Sequence, residues 1–91
     1  MKRRFEFEFE DESQTNTISF EYNELVNEKL TVSTEEGVSV VYANREALLV
    51  LGKTLIKMAI CAYQDGFHIH LEQDFDGDKP EALRVIIDET E

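Results

Sequence analysis

The chain has 91 residues, which is enough for one domain with a modest core and too few for two. Its hydrophobic content of 42% excludes intrinsic disorder of the whole chain, and its formal net charge of −11 makes nucleic acid an unfavourable ligand because phosphate groups would be repelled. We therefore expect residues 1–91 to form a single domain, and the acidity favours basic proteins as partners.

Two strands are predicted near the start of the chain. Residues 4–10 read RFEFEFE, so phenylalanine and glutamate alternate with the two-residue period of a strand that has one buried face. After a polar turn, residues 17–22 resume this period with Ile18, Phe20 and Tyr22 on one side. The two segments are expected to pair as antiparallel strands.

A second pair of strands and a helix follow. Residues 30–34 and 38–42 are predicted to be strands that a tight turn at residues 35–37 connects. Asn44 is the expected helix N-cap, because its side-chain oxygen can accept a hydrogen bond from a backbone amide one turn later. The helix is expected to run from there to about Tyr63.

The predicted helix is apolar around most of its circumference. At about 100° per residue, one narrow polar stripe results, and its members are Glu46, Lys53, Lys57 and Gln64. The opposite face, expected to lie in the core, consists of Leu48, Leu51, Leu55, Met58 and Ala62. The other apolar side chains exceed the arc that one sheet can cover. Either a curled end of the sheet or a second copy of the protein is expected to cover them, and we favour the second copy, so that they form the interface of a homodimer. They are Leu49, Ile56, Ile60 and Tyr63.

Two strands close the chain, one over residues 67–72 and one over residues 83–88. In the first, His68, His70 and Glu72 alternate with apolar residues and so share one polar face. The predicted fold is therefore α+β: one largely antiparallel sheet of five to six strands with a single long helix packed on one face, in the order β-β-β-β-α-β-β.

His68, His70 and Glu72 also invite a metal-binding interpretation, because two imidazoles and a carboxylate on one strand face are residue types that bind zinc. No further ligand of fixed geometry is identifiable from the sequence. We predict no cofactor, and zinc binding by these three residues is kept as an alternative to a solvent-facing or partner-facing role.

An acidic surface is predicted from the distribution of charge. Between Phe5 and Asn44 the chain has ten acidic residues and one basic residue. We predict that the polar face of the sheet binds a basic protein. Its residues are Glu6, Glu8, Glu10, Glu21, His68, His70 and Glu72. No nucleophile elbow and no phosphate-cradling glycine loop is present, so an enzyme is not predicted.

The second half of the chain resembles a known family. Asn44 opens a leucine-rich helix, and after a loop the sequence Gly-Phe-His-Ile-His-Leu forms the next predicted strand. This arrangement is similar to the small immunity proteins encoded beside bacterial polymorphic toxins, specifically the group numbered thirty-two. The matching strand positions are Gly66, His68, His70 and Leu71. The resemblance implies an inhibitor that binds a toxin.

Three functions therefore stay open. The favoured one is a non-enzymatic immunity-type inhibitor that neutralises a cognate basic toxin domain through its acidic surface. The alternatives are a zinc-binding domain that uses His68 and His70, and a self-associating structural or regulatory protein. The single cysteine, Cys61, is typical of a reducing cytoplasm, and the apolar stretches are shorter than the ~20 residues of a membrane span. A cytoplasmic protein without nucleic-acid or membrane partners is expected.

Overall fold

The computed structural model describes residues 1–22, 25, 27–72 and 81–89, and of Glu72 it describes the backbone alone. A 3-10 turn at Ser13–Thr15 comes first in the described part. The strands and the helix that follow are β1 (Leu30–Glu35), β2 (Val38–Ala43), α1 (Arg45–Ile60), β3 (His68–Glu72) and β4 (Glu81–Ile86).

The four strands form two antiparallel hairpin sheets in the described part of the chain. β1 pairs with β2, and β3 pairs with β4. Glu35 lies opposite Val38, so Glu36 and Gly37 form a two-residue turn, and both have positive φ angles, 52° and 79°. Two consecutive positive φ angles match the right-handed twist of a hairpin, and glycine adopts this conformation at no steric cost. The predicted turn is confirmed.

One hydrophobic core joins both hairpins to the helix. Its fully buried members come from β1, α1 and β3, and they are Leu30, Val32, Ala47 and Leu71. Partly buried side chains surround them, namely Phe20, Ala43, Leu51 and Leu83. Burying a leucine stabilises the fold by about 1.5–3 kcal/mol, so these contacts hold together two sheets that share no backbone ladder.

The helix begins where the sequence predicts and ends earlier. The Asn44 side chain accepts a hydrogen bond from the Ala47 amide at 2.9 Å, which confirms the predicted N-cap. At the other end, Cys61 takes an extended conformation, with φ −89° and ψ 170°. Tyr63 lies beyond the helix, and its ring stacks on Phe67 with centroids 4.1 Å apart. This contact turns the chain towards β3.

The prediction of one sheet of five to six strands with a long helix on one face is wrong. The structure has two two-stranded sheets in its described part, and α1 has 16 residues. Residues 4–10 and 17–22, expected to be strands, join neither sheet. Alternation in a sequence shows which side of a segment is apolar, but it does not show which backbone the segment pairs with. In residues 4–10 the apolar side lies against α1, and in residues 17–22 Phe20 packs on the core.

The buried face of the helix also differs from the prediction. Leu48, Leu55 and Ala62 were expected in the core and are exposed. The buried helical residues are Ala47, Val50, Thr54, Lys57 and Met58. The buried face thus includes smaller and partly polar side chains. Lys57 finds its acceptor outside the helix, at the Ser19 carbonyl, whereas Thr54 is satisfied within the helix. The Thr54 hydroxyl donates to the Val50 carbonyl at 2.9 Å.

Candidate partner-binding surface

Residues 4–10, called the arm from here on, lie along α1. The rings of Phe5, Phe7 and Phe9 follow one another on the same side, with centroids 5.6 Å and 5.3 Å apart. Lys53 Nζ lies 5.7 Å from the ring centroid of Phe7, and Lys57 Nζ lies 5.7 Å from that of Phe9. Such a cation–π contact contributes about 0.5–1 kcal/mol at an exposed site and about 2 kcal/mol when the cation is desolvated, as the buried Lys57 is. The arm is therefore held to the helix through its aromatic side.

The acidic side of the arm faces solvent. Glu6, Glu8 and Glu10 are all exposed. Arg4 donates a hydrogen bond from Nε to Glu6 at 2.8 Å, so the charge of Glu6 is partly neutralised within the arm. The separation of aromatic and acidic faces predicted from the alternation is present, although the segment forms no strand.

Glu21 has an internal partner. Its carboxylate lies 3.2 Å from the Nζ atom of Lys57, and the Lys57 side chain is only 3% exposed whereas that of Glu21 is 34% exposed. Lys57 also donates to the Ser19 carbonyl at 2.9 Å. A buried ammonium group needs such acceptors, because its desolvation is costly. Glu21 thus connects the N-terminal part of the chain to the helix.

His68 and His70 lie together on the β3–β4 hairpin. Ile69 and Leu71, which alternate with them, are buried, so the predicted division of this strand into two faces is present. The two imidazole rings meet edge to face, with centroids 4.8 Å apart. His68 Nδ1 lies 3.1 Å from the Gly66 carbonyl oxygen. The pair has the solvent-accessible position that a binding residue requires.

Glu81 joins this pair, and no pattern in the sequence marks it as a member of this face. Its carboxylate contacts His70 Nδ1 and accepts a hydrogen bond from Arg84 Nε at 3.0 Å. The Arg84 hydrogen bond has the largest effect and lowers the pKa of the Glu81 carboxyl. Desolvation raises this pKa by a smaller amount, and the His70 contact lowers it further. A register shift between Leu71 and Glu72 places Glu72 opposite Glu81. One extra residue in β4 therefore brings Glu81 to the histidine face.

In the described part of the chain, no three His, Cys, Asp or Glu residues lie close enough together to hold a metal ion. A complete zinc ligand set is therefore not seen among these residues. The side chain of Glu72, the third residue of that hypothesis, lies outside the described residues. The carboxylate that His70 contacts belongs to Glu81 instead.

The residues predicted to form a homodimer occupy two different environments. Leu49, Ile56 and Ile60 project from α1 and are exposed. Tyr63 is half-buried, and its hydroxyl donates a hydrogen bond to the Thr17 carbonyl. The helix therefore presents an apolar outer face to solvent, whereas Tyr63 belongs to the internal packing of the chain.

The comparison with known families adds the deciding observation. The family model described as Immunity protein 32 matches residues 40–89, which is more than half of the chain. The chain belongs to the Immunity protein 32 family. The matched region contains α1 and both strands of the histidine hairpin, whereas the arm and β1 precede it. The resemblance proposed from the helix and the Gly-x-His-x-His-Leu strand is thereby confirmed.

Two other comparisons gave no relatives, since no curated protein and no solved structure matches the chain. Within the described part of this Immunity protein 32 member, no helix has the length and apolarity needed to cross a bilayer.

Proposed function

We propose that this protein neutralises a cognate toxin by binding it, and that it performs no catalysis of its own. The observation that carries the proposal is the Immunity protein 32 match over residues 40–89. Inhibition by binding requires only a complementary surface with a few buried anchors, and the exposed apolar face of α1 offers such anchors.

We further propose that the toxin domain is basic and that the complex forms in the cytoplasm. The net charge of −11 attracts a cationic partner over long range and accelerates encounter. The exposed carboxylates of Glu8 and Glu10 supply part of this charge close to the apolar helix face. A toxin that acts on a phosphate-containing substrate needs a cationic active site, which an acidic protein can mask.

Co-expression tests the proposal. Each open reading frame that neighbours the gene is expressed with and without the tagged protein, growth is recorded, and bound proteins are identified by mass. We expect one neighbour to be toxic alone, to be tolerated with this protein, and to be recovered as a stoichiometric complex. A toxic neighbour whose effect persists despite full expression of the tagged protein, with no complex recovered, would contradict the proposal.

A further inference from the structure

A groove runs between the arm and α1. It has a volume of about 660 Å³, and it is lined by the three phenylalanines of the arm, by Glu6 and Glu8 between them, and by Ile56 and Ile60 of the helix. Several of these side chains remain accessible: Phe5 is 55% exposed, Ile56 is 40% exposed and Ile60 is 67% exposed. Single exposed apolar residues are ordinary, but a concave group of them is typical of an interaction site.

The arm side of this groove is acidic, with Glu6 and Glu8 in its lining, whereas Lys53 lies at its helix side. Lys53 and Lys57 lie over the rings of Phe7 and Phe9, and Lys57 is almost fully buried beside Glu21. Glu6 is paired with Arg4 at one end of the arm. The exposed charges that follow it along the arm are the carboxylates of Glu8 and Glu10. An apolar floor with an acidic border is complementary to an amphipathic segment whose polar side is basic.

We propose that this groove binds a basic amphipathic segment of the toxin. Apolar side chains of the segment pack on Phe5, Ile56 and Ile60, and its lysine or arginine side chains lie next to Glu8 and Glu10. This inference rests on the proposed function and assigns it a surface. A second copy of the protein is a poorer occupant, because two chains that each carry a charge of −11 repel each other.

A defined peptide tests the groove independently of the toxin. The probe is a helical peptide of about 14 leucine and lysine residues with its leucines on one face, which spans about 21 Å. Its binding is measured by calorimetry on the full chain. A scrambled peptide of the same composition, in which the leucines no longer share a face, controls for attraction by charge alone.

Two pairs of matched variants locate the site. Ile60→Ser and Glu8→Lys are each expected to weaken peptide binding about tenfold, which corresponds to loss of one good contact. The control for Ile60→Ser is Val38→Ser, because Val38 is an aliphatic residue of similar exposure, 59%, at the start of β2. The control for Glu8→Lys is Glu36→Lys, which makes the same change in net charge in the β1–β2 turn. Both controls are expected to bind within about twofold of the unmodified protein. Circular dichroism checks that each variant is folded.

Three results would overturn the groove assignment. The scrambled peptide could bind equally well, folded Ile60→Ser could keep full affinity, or sedimentation could show a dimer that Ile60→Ser dissociates. The last result would assign the groove to a second copy.

Failure of the proposed function has a different signature. Suppose that the amphipathic peptide binds, that Ile60→Ser weakens this binding, and that no neighbouring gene encodes a toxin. These results would support the groove and reject the inhibitor function. A neutralised toxin that binds Ile60→Ser and the unmodified protein equally would retain the function and reject the groove.

Discussion

Lys57 shows how one side chain determines the position of a whole segment. Its ammonium group is buried, and its hydrogen-bond acceptor and its counterion, Ser19 and Glu21, come from the part of the chain that precedes β1. Helical periodicity places Lys57 on a polar stripe, and this was the basis of the wrong assignment of the buried face. Helical periodicity cannot predict that a lysine is buried by partners far away along the chain. Ser19 and Lys57 are separated by 38 residues.

Glu21→Ala should destabilise the fold by about 1–2 kcal/mol, because it leaves the Lys57 ammonium buried without its counterion. The estimate is below that for a fully buried pair because Glu21 is 34% exposed. Urea unfolding gives the free energy, and Glu10→Ala, an exposed change in the arm, should alter it by less than about 0.5 kcal/mol. The double variant Glu21→Ala with Lys57→Met should recover part of the loss. Equal effects of Glu21→Ala and Glu10→Ala would show that the ion pair contributes nothing.

Glu81 should titrate below the ordinary pKa of a glutamate, because the Arg84 hydrogen bond and His70 favour its charged form. A pKa that is lower in the folded state adds stability above the unfolded-state pKa, and this contribution is lost as the pH falls through the folded-state pKa. Carboxyl NMR titration measures the shift. Arg84→Met should return the pKa of Glu81 towards its ordinary value.

Arg4→Met serves as the control for this titration, because it removes a guanidinium group that pairs with Glu6 instead. It should leave Glu81 unchanged. A Glu81 titration curve that is the same with and without Arg84 would contradict the assigned cause.

Secondary-structure elements differ in how far the sequence determined them. Both hairpin strands before the helix were predicted almost to the residue, since the β1–β2 turn and the Asn44 cap are local signals. The arm was misassigned because a strand and a segment lying on a helix use the same alternation. Glu81 was missed because a bulge reverses the sheet face to which each residue beyond it points. No pattern within β4 marks this bulge.

Asn44 does more than begin the helix, because its side chain also fixes the approach to β1. Its Oδ1 atom accepts from the Ala47 and Lys29 amides, and its Nδ2 atom donates to the Asn27 carbonyl at 2.7 Å. Asn44→Ala should cost about 2 kcal/mol in urea unfolding, about half of it from the lost cap.

Asn44→Asp is the matched variant, because aspartate keeps both acceptor functions and replaces the donor with a carboxylate oxygen beside the Asn27 carbonyl. It should cost less than half as much as Asn44→Ala, since a negative charge is also favourable at a helix N-terminus. If the aspartate variant were as unstable as the alanine variant, the cap would not be the source of the effect.

The complete fold depends on interactions between distant parts of the chain, and these were the least predictable. The sequence indicated an α+β chain with one capped helix and a histidine strand, and its family resemblance is confirmed. It did not indicate that two small sheets share one core. That arrangement results from side chains such as Phe20 and Leu83, which pack on the core from segments far apart along the chain.

Net charge acts over the entire surface and at long range. We therefore expect it to affect mainly the rate constant with which the toxin complex forms. The association rate constant should fall at least about tenfold between about 0.05 M and about 1 M salt, where the Debye length is roughly 3 Å. The dissociation rate should change less. Stopped-flow mixing measures both, and replacing Glu8 and Glu10 with lysine should flatten the salt dependence. A rate that does not depend on salt would show that the acidity does not guide encounter.

The arm has a consequence for how recognition can diversify during evolution. It lies outside the region that matches the family, and it belongs to neither hairpin sheet. Substitution of its exposed glutamates therefore disturbs no strand pairing and has little cost to folding. A lineage can conserve the helix and the histidine hairpin as a common frame while the arm acquires new charge patterns. With the groove as the proposed toxin-binding site, new charges on the arm would change which toxin is bound while the frame stays the same.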